Sequence, residues 1–165
     1  GTSFAEKIRA LILSDDGREA SAETHFALNW AQRHDHGKNL IKPALMKGIN
    51  VVNDRCDSST YAYQIVAQGG RNLEKLFWQT RDVYFGDTKP DLYIFLDVDP
   101  KVGMARVAGR KGERTHFDKQ KLDFHENVRK GFKEFLKHVS HKIIEAGRPL
   151  EEVKKDFISV LKGVI

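Results

Sequence analysis

Cys56 is the only cysteine in 165 residues, so no internal disulfide can form. Such cysteine usage fits a reducing, cytoplasmic setting. No apolar run approaches the roughly 20 residues of a membrane helix, and no stretch reads as a signal peptide, although a chain that opens on Gly1 in place of Met leaves room for a lost N-terminal segment. The 7 histidines show no ligand spacing such as H-E-x-x-H, and no metal site of the chain's own is assigned. There is no repeat, no low-complexity tract and no linker, so the chain reads as one domain over residues 1–165. The positive charge lacks any long run. The formal net charge is +5 and the pI about 9.3, but Lys and Arg are dispersed over helical segments. That pattern argues against polymeric nucleic acid and leaves a phosphorylated small ligand or a solvated basic surface.

The apolar pattern alternates between helical and strand-like segments. Phe4, Ile8, Leu11 and Ile12 predict a helix over 4–13, ended by Asp15, Asp16 and Gly17. Residues 21–47 read as helical with an interruption at Gly37 and a stop at Gly48. The β-branched stretch Ile49 to Asn53 predicts a short strand leading into Asp54 and Arg55. Helices are expected over 57–68 and from Leu73 to Tyr84. The dense run Leu92 to Leu96 predicts a strand covered by helices on both faces. A helix from Pro100 to Arg110, an aperiodic charged loop over 110–121, a helix carrying Phe124, Val128, Phe132, Phe135 and Val139, a last strand over 142–145 and a closing helix complete the chain. This order argues for an α/β fold with a parallel sheet, and three strands are few for such a sheet.

Several residues carry candidate chemistry. Asp54 and Arg55 follow a predicted strand end, where ligands bind in open α/β sheets. An arginine there can grip a phosphate through two parallel hydrogen bonds. Thr60, Tyr63 and Gln64 are spaced to share a helix face, and a hydroxyl and an amide can read the edge of a pyrimidine. Arg9 is spaced three residues from Glu6 and could pair with it. Phe26, Asn29, Trp30 and Arg33 share a face of a second helix and could line a pocket or form core. Asp97 and Asp99 are expected to cap the helix that starts at Pro100.

The segments GTSFAEKIRALIL, IKPALMKG with DRCDSSTYAYQ, PDLYIFLDVDPKVGMARVAGR and LDFHENVRKGF, in this order, resemble the thymidylate kinase family. The resemblance implies a P-loop NTPase-like α/β fold, a three-layer parallel sheet flanked by helices. It implies a nucleoside monophosphate kinase that converts dTMP to dTDP with ATP and Mg²⁺, and a homodimer. It gives Arg55 to the acceptor phosphate, Asp54 to the neighbourhood of the reacting phosphates and metal, Thr60, Tyr63 and Gln64 to base and deoxyribose, and Arg9 to the acceptor side. Residues 106–121 resemble the lid, with Arg106 stacking on the donor adenine and Arg110 and Arg114 reaching the donor phosphates. His116 stands where an arginine is common in the family, and Cys56 where an aromatic or histidine is common. In one alignment Arg33 bonds the base and Asn29 replaces a stacking Phe. In the other, Phe26 stacks and Trp30 replaces the arginine. Base preference stays open between them, so a deoxynucleoside monophosphate other than dTMP is an alternative acceptor.

The pattern G-x-x-x-x-G-K-[ST], whose backbone and lysine hold donor phosphates in this superfamily, does not occur. The resemblance begins after the place of that strand–loop–helix unit. The expectation is a sequence that starts partway along a longer chain and is inactive by itself, the alternative being a short module that binds nucleotide without catalysis.

Overall fold

The structure is a computed structural model that describes residues 1–111 and 114–164. Close contacts divide it into two compact units, Gly1–Lys89 and Pro90–Ile165.

The first unit is helical. Helix α1 (Ser3–Leu13) starts at Thr2, whose hydroxyl accepts the Ala5 N–H at 3.0 Å. A tight link through α2 (Asp15–Arg18) leads to α3 (Ala22–His36), capped by the Ser21 hydroxyl. Asp15 to Gly17 therefore form a further helical turn where the sequence predicts only a stop. Thr2 also bonds Asp35 near the end of α3, while Gly17 accepts from His25 near its start. The two helices must then run antiparallel. Gly17 is required here by close packing, since a Cβ would lie 2.3 Å from the Leu11 carbonyl oxygen and 2.4 Å from that of Ile12.

The predicted interruption at Gly37 is not a break. Gly37–Ile41 is a wider π-helical turn that carries α3 into α4 (Lys42–Met46). Gly48, with φ of +71°, ends the helix as expected. Ile49 to Asn53 do not form the predicted strand. No strand pairs with them among the described residues, and Ile49 and Val52 are 54% and 65% exposed. Strand propensity without a ladder partner leaves the backbone irregular.

Helix α5 (Asp57–Thr60) continues as a π-helical segment, Tyr61–Ala67, in which the Gln68 N–H reaches the Tyr63 carbonyl five residues back at 2.8 Å. Helix α6 (Glu74–Phe85) packs against it. Between them lie Tyr61, Ile65 and Phe77, all essentially inaccessible. Each large apolar side chain buried this way contributes about 1.5–3 kcal/mol.

The second unit holds two strands among the described residues. Strand β1 (Tyr93–Asp97) pairs in parallel with β2 (His141–Glu145), Tyr93 opposite His141 and Asp97 opposite Glu145. Helices α7 (Pro100–Ala108) and α8 (Leu122–Leu136) lie between them in sequence, and α9 (Leu150–Lys162) follows. Side chains alternate along β1. Phe95 stacks on Phe132 of α8 at 5.3 Å and Tyr93 meets Phe135 edge-on at 5.1 Å. Ile94 points into the cluster of Ile144, Ala146 and Val153 with Phe157 and Val160. Both faces of the strand thus carry helices, as a continuous apolar run requires. Asp99 caps α7, accepting the Lys101 N–H at 2.8 Å. Asp97 does not share that role: its carboxylate takes Arg129 at 2.6 and 2.9 Å and Lys133 at 2.8 Å, both from α8. Cations from α8 hold Asp97, and Asp99 fills the cap.

Candidate functional site

The first unit gathers most of the acceptor-side candidates around α5. Arg55 is the one non-glycine residue with positive φ among the described residues, at 63°. The left-handed conformation places Cβ against the following carbonyl and is disfavoured by about 1–2 kcal/mol. Asn53 spans the turn, its side-chain amide donating to the Arg55 carbonyl at 3.0 Å. The exposed Arg55 guanidinium lies over the Tyr63 ring, 5.7 Å from its centroid, with Nη1 3.4 Å from the phenol oxygen. Asp54 is exposed beside it.

From the other side, Arg33 of α3 donates through Nη1 to the Thr60 hydroxyl at 2.5 Å. Its guanidinium sits 5.5 Å from the Trp30 ring centroid. Arg33 is close enough to affect Cys56. That thiol is pushed up to about 11, first by desolvation and then by the negative charge of Asp57, with Arg33 opposing. Two arginines therefore approach Thr60 and Tyr63, one from α3 and one from the turn before α5.

Gln64 does not join them. It is 2% exposed, on the inner side of the segment with the fully buried Thr60, while Tyr63 is half-buried. Its amide donates to Gln68 Oε1 at 2.9 Å, Gln68 Nε2 lies 3.1 Å from His25 Nδ1, and His25 Nε2 lies 2.8 Å from the Gly17 carbonyl. In a neutral imidazole, the Gly17 carbonyl takes the Nε2 proton and Nδ1 accepts from Gln68. Phe26 and Trp30 are also inside. Trp30 is 2% exposed and packs with Phe26, Phe77, Tyr84 and Phe85 at centroid distances of 5.5–6.2 Å. Its indole N–H finds no hydrogen-bond partner among the described residues. Asn29 is half-buried, its amide donating to the His25 carbonyl at 2.8 Å. Arg9 is exposed on α1.

A buried ion pair that spacing does not reveal underlies this cluster. Asp57, fully buried at the start of α5, accepts Arg81 Nε of α6 at 2.7 Å. Arg81 in turn sits 5.8 Å from the Trp78 ring centroid. The residues are 24 positions apart, so periodicity within either helix carries no trace of the pairing.

The second unit holds the candidate lid arginines. Arg106 donates to the Ala146 carbonyl at 2.8 Å and toward that of Arg148 at 3.4 Å, which ties α7 to the turn after β2. Arg110 faces Asp118 at 3.7 Å, and Arg114 donates to the Ala108 carbonyl at 3.0 Å. Asp118 also accepts from the Thr115 N–H and hydroxyl, each at 2.9 Å. His116 packs on Phe117 with centroids 4.0 Å apart. Within the proposed lid over 106–121, Gly112 and Glu113 lie outside the described residues. No helix is long and apolar enough to cross a membrane among the described residues.

Comparison with known families matches residues 1–157 to the family described as thymidylate kinase. The thymidylate kinase of Vibrio parahaemolyticus serotype O3:K6 is 38% identical over 164 residues, covering 98% of this chain and 76% of that one. The thymidylate kinase of Francisella tularensis subsp. holarctica (strain FTNF002-00 / FTA) is 37% identical over 164 residues, covering 98% of this chain and 77% of its own. A match of this extent and identity settles the family: the chain belongs to the thymidylate kinases.

Proposed function

We propose that this protein phosphorylates dTMP to dTDP at the expense of ATP, within a P-loop NTPase-type α/β domain that includes residues 1–165. The observation that carries the reading is Arg55, held in a left-handed turn with its guanidinium exposed beside Tyr63. An exposed, pre-set guanidinium next to a phenol suits the phosphate and sugar of a nucleoside monophosphate. Arg33 of α3, anchored on the fully buried Thr60 hydroxyl, offers guanidinium donors for the base. Of the two ways to match the base-binding residues, the geometry favours the one led by Arg33, because Phe26 and Trp30 are enclosed in core. Gln64 serves the fold through Gln68 and His25.

In the reaction an oxygen of the acceptor phosphate bonds to the γ-phosphorus of ATP as the bond to the ADP oxygen breaks. Catalysis of such a step is mainly positioning and charge stabilisation. Arg55 would orient the attacking phosphate, and Arg110 and Arg114 would neutralise charge on the transferred group, with Arg106 beside the adenine. Mg²⁺ would enter on the ATP phosphates, as it commonly does, with the exposed carboxylate of Asp54 at hand. The proposed setting is a cytoplasmic homodimer.

A second reading, a different base preference, is favoured by Asn29. It offers no aromatic face at the position that the Arg33 alignment gives to a stacking ring. Phosphoryl transfer from ATP to dTMP, dUMP and dCMP by the full native chain tests both readings. Faster turnover of dTMP, lost in Arg55→Ala, is the expected result. Preference for another acceptor would move the assignment to the second reading. Binding of dTMP without any transfer would leave a non-catalytic nucleotide-binding module.

A further inference from the structure

Left-handed backbone at a residue with a Cβ persists only where the surroundings over-determine it. The Arg55 side chain does not supply that restraint, since it is exposed and reaches Tyr63 only at 3.4 Å. The restraint comes from both flanks of the turn. Upstream, Asn53 bonds the Arg55 carbonyl at 3.0 Å. Downstream, Asp57 is fully buried two residues on and is gripped by Arg81 at 2.7 Å. Arg81 is itself buried and rests against Trp78. Displacing the start of α5 would separate a buried charge from its partner, which is strongly unfavourable. As a source of net stability, by contrast, a buried ion pair is weak. Its geometric effect is the larger one: it fixes where α5 begins and how the preceding turn must close.

We propose that Arg81 is a positioning residue for Arg55: by clamping Asp57 it holds the left-handed turn from which the Arg55 guanidinium meets the acceptor phosphate. The proposal rests on the reading of Arg55 as the phosphate ligand. Arg81 itself touches no substrate in this scheme.

The test uses the full native chain and compares Arg81→Met, Arg81→Lys, Asp57→Asn and Arg55→Ala by calorimetric dTMP binding, steady-state kinetics and thermal melting. Arg81→Met is expected to raise Kd and KM for dTMP about tenfold or more, with KM for ATP held within about twofold. Arg81→Lys, which keeps a charge for Asp57, is expected to recover part of the dTMP affinity, and Asp57→Asn to follow Arg81→Met. A folded Arg81→Met protein with unchanged dTMP affinity would overturn the proposal. So would a parallel loss of both KM values, kcat and melting temperature, which a purely structural pair predicts. If Arg81→Met does not fold, Arg81→Lys and Asp57→Asn decide the matter by the same split. Arg55→Ala separates the two levels: unchanged dTMP binding there removes the phosphate-ligand reading itself, whereas weakened binding there with a silent Arg81→Met removes only the role of Arg81.

Discussion

Arg33 and Thr60 meet across 2.5 Å, joining α3 to the last residue of α5 before the helix widens. The contact brings a charged donor to the helical segment that also carries Tyr63. Arg33→Ala should weaken dTMP binding by about 10- to 100-fold, the range for losing a hydrogen bond to a charged group. Calorimetry on the purified variant measures it. An effect below about twofold, smaller than any such bond, would remove Arg33 from the base site.

Trp30 should behave as core. Trp30→Ala is expected to destabilise by about 3–5 kcal/mol. Trp30→Phe should be milder, since a ring still meets Phe26, Phe77 and Phe85 and the unpartnered indole N–H is gone. Urea unfolding of both variants gives the order. A Phe variant as stable as the parent but unable to bind dTMP would return Trp30 to the binding site.

Asp97 gives a pH signature. The hydrogen bond from Arg129, helped by Lys133, holds its carboxyl below the usual carboxylate range. A folded value below the unfolded one means stability that is present above about pH 4 and lost as pH falls through the folded value. Asp97→Asn should therefore cost about 1–3 kcal/mol near neutrality, with the gap to the parent closing in acid. Denaturant unfolding between neutral and acid pH checks it. A gap that does not close would place the effect in packing.

Cys56 should be a sluggish nucleophile. With its thiol pushed up to about 11 from 9.0, the thiolate fraction at neutral pH falls about 100-fold relative to an open cysteine. Iodoacetamide labelling followed by intact mass should be slow in the folded protein and fast in urea. Rapid labelling of the folded form would contradict the raised thiol.

The sequence made the second unit legible because each of its elements is decided locally. The run Leu92 to Leu96 is continuous, and β1 carries helices on both faces; the spacing of Phe132 and Phe135 marks the side of α8 that meets Phe95 and Tyr93. The first unit was less legible. A π-helical turn has almost the same local backbone angles as an α-helix, so Gly37 reads as a break and Gln64 as a partner of Tyr63 on one face. Gln64 is instead enclosed together with Thr60, and Tyr63 stays half-buried. Ile49 to Asn53 show the opposite limit: composition signals a strand, but only a pairing partner makes one. The Asp57–Arg81 and Asp97–Arg129 pairs join elements distant in sequence, and charge spacing within a helix cannot report them.

The turn at Arg55 sets stability against use. A glycine there would adopt the same backbone without steric conflict, and Arg55→Gly should leave the protein as stable as the parent or up to about 1 kcal/mol more so. Selection for heat resistance alone would thus drift toward discarding the guanidinium, while selection for nucleotide binding would keep it in a conformation the chain disfavours. On the proposed reading, binding of the nucleotide phosphate is what would keep an arginine in that conformation.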